Sequence, residues 1–238
     1  MKKILHHAQA RGRGDHGWLQ SRFSFSFADW YEPSRMRFGA LRVLNDDQIA
    51  AGSGFPPHGH RDMEIITIVT NGAVAHKDST GSDGVVGKGE VQVMSAGTGV
   101  VHSEFNASTE EPLELFQIWI EPAEKGGLPR YDQKGFKSPE SGEIVPLVGP
   151  MNEKGTLGIR QDAYLSRARL DAAHPISYAL HDAAHGVYAF VISGRAEIDS
   201  VQLSARDALG ITGATSFEMK TSGEADVLLI EVPMDANR

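Results

Sequence analysis

Period-two alternation recurs along this chain in short bursts, and no other feature limits its fold so tightly. In "RFSFSFADWY", Phe23, Phe25 and Phe27 alternate with small polar residues, the pattern of a strand with one buried face. "GALRVLNDD", "EIITIVTNG", "GEVQVMSAG" and "LELFQIWIEP" follow, each short, rich in β-branched or aromatic residues and bounded by Gly, Asn, Asp or Pro. Helix signals are sparse. With 26 glycines available for turns, this spacing favours an all-β sandwich or closed barrel over alternating strand–helix units.

From about Glu121 to Gly158 the texture changes. "EPAEKGGLPRYDQKGFKSPESGEIVPLVGPMNEKG" is dense in Pro, Gly and charge without a sustained period, which reads as a connection, although "IVPLV" has strand character. Strands resume in "AYLSRARL", "SYALHDA", "GVYAFVISGRAEID", "VQLSARDALGIT" and "DVLLIEVP". The segments "ITIVTNGAVAHKD" and "YAFVISGRAEIDS" share a buried strand, a glycine turn and a second alternating strand, so the second half repeats the first in outline. The expected division is a first barrel over residues 1–122, a connecting segment over 123–158 and a second barrel over 159–238.

Composition removes several classes of function. With 31 acidic and 23 basic residues the formal charge is −8, and the basic residues are scattered, which argues against a nucleic-acid or anionic-membrane partner. The chain has no cysteine, so disulfides, thiolate metal sites and cysteine nucleophiles are excluded and histidine and carboxylate remain as metal ligands. "MKKILHHAQARGRGDHG" has no apolar signal-peptide core and no run reaches membrane-spanning length, which makes the expected location cytoplasmic.

Against that background the segments "GSGFPPHGHRDMEII" and "GVVHSEFN" stand out. Residues i and i+2 of a strand share a face about 6.6–7 Å apart, so His58 and His60 form one half-site. His102 and Glu104 form another of the same geometry. Brought together inside a barrel, three imidazoles and one carboxylate suit Fe(II), Mn, Ni, Cu or Zn. Burying such a set without a metal or partner would be costly. Glu64 shares the parity of His58 and His60 and is an alternative fourth ligand, or a residue that supports the ligands or acts as an acid or base. Adjacency to His102 favours Glu104. A lone strand histidine is more often a hydrogen-bonded core residue, and His6, His7, His16, His76 and His174 are read that way. The second half carries no comparable pairs; its nearest, His181 and His185, are four apart.

"GSGFPPHGHRDME" resembles the first cupin motif, and His102 followed after three residues by Asn106 resembles the end of the second. "DHGWLQSRFSFSFADWYEP", "FGALRVLNDD", "HGHRDMEIITIV", "VMSAGTGVVHSEFN" and "LFQIWIEP" together resemble the pirin family of two-barrel cupins, strongly from Asp15 to Pro122 and in outline beyond. Ser95 in place of the usual proline, with two extra residues before His102, departs from generic cupins and is shared by pirin-like proteins. The resemblance implies a bicupin of two double-stranded β-helix (jelly-roll) barrels. It also implies one divalent transition metal per chain in the first barrel, held by His58, His60, His102 and Glu104, and none in the second. Fe(II) stands first, with Mn, Ni, Cu, Co or Zn as alternatives.

The activity implied is that of a quercetin 2,3-dioxygenase, an oxidoreductase of flavonoid degradation that opens the central ring of a flavonol with O2 and releases CO. Glu104, or second Glu64, would act as the catalytic base. A flat apolar substrate calls for an aromatic or aliphatic lining; Phe23, Phe25, Phe38 and Phe116 are the candidates, with Phe27 and Met36 beside them. The alternative is a metal-binding regulatory or redox-sensing protein acting through a protein partner, a role known in eukaryotic members. A two-barrel chain is expected to be a self-sufficient monomer.

Overall fold

The computed structural model describes residues 1–235. Among them the regular structure is strand, apart from two short 3-10 turns at Ala8–Ala10 and Pro33–Arg35, and no helix is long and apolar enough to cross a membrane. The first half is two antiparallel sheets. One has seven strands in the spatial order Arg130–Gly135, Glu90–Ser95, Glu64–Asn71, Leu113–Ile120, Leu41–Ile49, Leu19–Phe23 and Gly12–Asp15; the other has four, in the order Gly54–His60, Val100–Asn106, Ala73–Asp78 and Asp83–Gly87. In the second half a ten-stranded sheet is built around His185–Ile198 and Glu224–Pro233, which pair with each other along most of their length.

Sequence halves and sheets do not coincide. The strand Lys2–His6 hydrogen-bonds along Ala208–Thr212 and so joins the sheet of the second half. The segment 123–158, expected as a connection, carries three strands. Arg130–Gly135 pairs with Glu90–Ser95 of the first half, whereas Ile144–Pro150 pairs with Tyr164–Asp171 and Leu157–Ile159 of the second. Pro, Gly and charge mark the turns between these strands, and Val145, Leu147 and Val148 are buried.

One apolar core lies between the halves. Phe25, Leu41, Ile66, Val93 and Phe116 from the first pack with Val148, Tyr188, Phe190, Leu228 and Ile230 from the second. Parity sorts residues between this core and the interior of the first half. On Glu64–Asn71, Ile66 and Ile68 face the second half and Ile65 and Thr67 face inward. On Leu113–Ile120, Phe116 and Ile118 go to the shared core while Gln117 and Trp119 line an internal cavity.

Candidate metal centre

His58 and His60 leave Gly54–His60 on the same side, as period two requires. Pro56 and Pro57 cannot donate to a ladder, and the pairing with Val100–Asn106 slips beside them: His102 lies opposite His58, whereas Glu104 lies opposite Phe55. Gly54 permits this approach, because a Cβ there would sit 2.3 Å from the Glu104 carbonyl oxygen. The ring centroids of His58 and His102 are 4.5 Å apart, those of His58 and His60 4.8 Å, and those of His60 and His102 4.9 Å. One nitrogen from each of the three lies within 4.8 Å of the others. Nitrogens on opposite sides of one ion, at 2.0–2.1 Å each, lie about 4 Å apart, so modest side-chain movement reaches coordination distance.

The protonation states suit a cation. Burial, then the positive field of His58 and His60, holds the His102 pKa at about 3; burial, then His58, holds His60 at about 4. Neutral imidazoles are the metal-binding form. The His58 Nδ1–H donates to the Pro56 carbonyl at 2.8 Å, leaving Nε2 as its free lone pair. Both ring nitrogens of His102 are buried with no hydrogen-bond partner, a costly state in a purely structural residue. An ion at this point would relieve it, so the donor set fits a divalent transition metal.

Glu104 belongs to the same strand and is buried. Its carboxylate is held by a polar row that crosses the inner face of the seven-stranded sheet, where Asn45, Gln117, Thr67 and Gln92 are successive cross-strand neighbours. Gln117 Nε2 donates to Oε2 at 2.9 Å, Thr67 Oγ1 lies 3.3 Å from Oε1, and Gln92 Nε2 donates to Oε1. Burial pushes the Glu104 carboxyl pKa up.

His76, read from sequence as outside the site, belongs to it. Ala73–Asp78 pairs with the other edge of Val100–Asn106, placing His76 opposite Glu104 and Asp78 opposite His102. His76 Nε2–H donates to Asp78 Oδ2 at 3.1 Å, its ring stacks on Tyr131 at 4.3 Å, and its Nδ1 is buried without a partner. Donor atoms of His76, His102 and Glu104 form a second group within 4.8 Å of one another. The signal was present in "HKD", a third i, i+2 pair of potential ligands.

A cavity of about 280 Å³ opens onto these groups. Phe23, Phe27, Phe55, Ile65 and Trp119 supply its apolar walls, His58, His60, His102 and Glu104 one polar side, and Ser21, Asn45, Asp47 and Gln117 the other, with exposed His16 also on its lining. The Trp119 ring packs edge-on against His60 at 5.0 Å.

Phe23 therefore lines the cavity, but Phe25, Phe38 and Phe116 do not. The strand Leu19–Phe23 ends where Ser24 N–H donates to the Leu44 carbonyl; the chain bends, and Phe25 turns into the core between the halves against Tyr188. Phe38 also packs on Tyr188, and Phe116 on Phe190. Glu64 is likewise placed elsewhere. The chain turns between His60 and Glu64 through Asp62, at φ 49°, so parity does not carry across. Glu64 starts a strand of the other sheet, where Ser95 Oγ–H donates to its Oε2 at 2.6 Å and burial raises its pKa. It faces neither the cavity nor the histidines.

Residues 5–120 match the family model described as Pirin, and residues 147–232 match that of the quercetinase C-terminal cupin domain. A quercetin 2,3-dioxygenase of Escherichia coli is 42% identical over 96% of this chain and 98% of its own length. A pirin-like protein of Caulobacter vibrioides is 44% identical over 92% of this chain and 95% of its own. The crystal structure of the bacterial pirin YhhW from Escherichia coli in complex with nickel(II) superposes with a TM-score of 0.92 at 40% identity, covering 98% of this chain and 99% of that one.

Proposed function

Because the chain belongs to the pirin family, we propose that it is a metal-dependent dioxygenase that opens the central ring of flavonols such as quercetin. The observation that carries this reading is the cavity itself, which joins three clustered imidazoles and a buried carboxylate to apolar aromatic walls. His58, His60, His102 and Glu104 are the proposed ligands of one divalent transition ion. Bound there, the ion would supply Lewis-acid polarisation of the substrate's enol oxygen and one-electron chemistry toward O2.

The chain's own residues do the rest. Phe23, Phe27, Ile65 and Trp119 accept a planar ring system and exclude water from it. Glu104 is the carboxylate on the histidine side of the cavity, and the proton of the flavonol 3-hydroxyl passes to one of its oxygens. Gln92 and Gln117 donate to that carboxylate and fix its direction. In the overall reaction one O2 is consumed; C2 and C4 of the flavonol each gain an oxygen atom, the C2–C3 and C3–C4 bonds break, and C3 leaves as CO. The test is an oxygen-electrode assay of metal-replete protein with quercetin, with CO measured in the headspace. Matched quercetin loss, oxygen uptake and CO release are expected, and metal-replete protein that shows none of the three refutes the reading.

A further inference from the structure

The wall facing the histidines carries two oxygen atoms that no protein group satisfies. Asn45 and Asp47 sit on the inward side of Leu41–Ile49, are 3% and 5% exposed, and line the cavity. Asn45 Oδ1 and Asp47 Oδ1 are each buried with no hydrogen-bond partner. Their neighbours show that this is not a general feature of the sheet. Gln117, Thr67 and Gln92, in the same cross-strand row as Asn45, are all spent on Glu104, and the row's bonding stops before Asn45. One row further along, Ser21 lies opposite Asp47 and hydrogen-bonds it, yet Oδ1 is left over. A buried acceptor without a donor is unfavourable unless something that enters the cavity supplies one.

We propose that Asn45 and Asp47 form a hydroxyl-reading subsite, which selects planar aromatic substrates bearing phenolic O–H groups beyond the one presented to the histidines. It rests on the flavonol reading and deepens it. Both unsatisfied atoms are oxygens, so the matching ligand groups are donors. The same cavity is lined by Phe23, Phe27, Phe55, Ile65 and Trp119, apolar walls that suit the ring system of such a ligand. A site with buried acceptors rejects an analogue that lacks the hydroxyl, because the acceptors are then sealed in without partners.

The experiment is a binding titration of the metal-loaded chain under anaerobic conditions, so that no turnover occurs, with quercetin and with 3-hydroxyflavone, which keeps the enol but has no other hydroxyl. Wild-type protein is expected to bind quercetin about tenfold more tightly. Asn45→Leu and Asp47→Leu should each remove much of that preference by weakening quercetin and leave 3-hydroxyflavone within about twofold, and Asn45→Leu should melt no lower than wild type because an unsatisfied polar group has gone. Asp47→Asn, which keeps an oxygen at the same position, should retain the preference. Equal binding of the two flavonols by wild type, or an undiminished preference in both leucine variants, overturns the subsite and leaves the flavonol reading standing. So does a fall in melting temperature with unchanged affinities, which would make these residues structural. Failure of wild type to bind either compound removes the flavonol reading and the subsite with it.

Discussion

Strand Val100–Asn106 of the first half turns His102 and Glu104 inward, and the opposite wall presents Asn45, Asp47 and Gln117 to the same space. At its centre the second half packs Val187, Ala189, Leu209, Ile211, Phe217, Val227 and Leu229 against one another. Its buried polar groups gather around Glu231, which accepts from Tyr178 Oη–H at 2.7 Å, from His181 N–H at 2.7 Å, and from the Nδ1 atoms of His181 and His185 at 2.9 Å each. Both halves thus bury histidine and glutamate and supply the glutamate with donors, but the buried His185 ring of the second is bonded to Glu231, whereas both ring nitrogens of His102 in the first are left without a partner. Five of the ten buried side-chain atoms without a partner among the described residues belong to Asn45, Asp47, His102 and Trp119, so half of the unmet hydrogen-bonding capacity lies around this one cavity. Histidine count therefore says little about which half is chemically equipped. Whether the imidazole lone pairs are already committed says much more.

The largest expected effect breaks this contrast directly. Elemental analysis of purified protein should find about one transition-metal ion per chain. His58→Ala and His102→Ala should bring that close to zero, while His181→Ala and His185→Ala should leave it unchanged. Glu104→Gln should lower metal content or turnover more than Glu64→Gln does. Full metal occupancy in both first-half histidine variants would sink the ligand assignment.

What sequence could and could not reveal follows the same division. Period two within a single strand placed His58 beside His60 and His102 beside Glu104, because side-chain parity is a local property. It failed wherever the chain turned. Glu64 shared parity with His60 only on paper, since Asp62 redirects the backbone between them, and Phe25 left the face of Phe23 because the strand stops there. His76 was passed over because its membership depends on Ala73–Asp78 pairing with the second edge of Val100–Asn106. The polar row beneath Glu104 draws Asn45, Thr67, Gln92 and Gln117 from four different strands. No spacing rule could have joined them.

The next effect tests the sorting of aromatic residues between cavity and shared core. Phe116→Ala should cost about 3–5 kcal/mol in a denaturant titration, because it opens a hole between the halves, and should leave flavonol affinity unaltered. Phe23→Ala should weaken flavonol binding, since its ring lines the cavity. A comparable affinity loss in Phe116→Ala would put Phe116 back at the site.

Changes of pH should tilt the two halves in opposite directions. Burial raises the Asp47 pKa from 3.8 to about 7, with lesser contributions from Asp46 and Glu104 against the hydrogen bond from Ser21. The folded state then holds a proton that the unfolded chain releases between those values. Stability associated with Asp47 is therefore full below about pH 4 and declines as pH rises toward 7, by at most about 1.4 kcal/mol per pH unit. Melting curves of metal-free Asp47→Asn should show a flatter acid-to-neutral profile than wild type; an identical slope would mean that Asp47 is not desolvated in solution.

Glu231 should show the reverse sign at the smallest amplitude. Burial alone would raise its pKa, but hydrogen bonds from His181, Tyr178 and His185 outweigh that and bring it below the ordinary carboxylate value. A carboxylate with a depressed folded pKa stabilises the protein above its unfolded pKa and loses that contribution as pH falls through the folded value. Glu231→Gln keeps one carbonyl acceptor but puts an amide NH2 where donors converge on the second carboxylate oxygen, so it should cost about 1–3 kcal/mol at neutral pH. The deficit should shrink as the medium is acidified, because the wild-type carboxylate is then protonated as well. Metal content should not change. If Glu231→Gln instead released metal from the protein, or if its deficit grew toward acid, the second half could not be treated as an internally satisfied counterpart of the first.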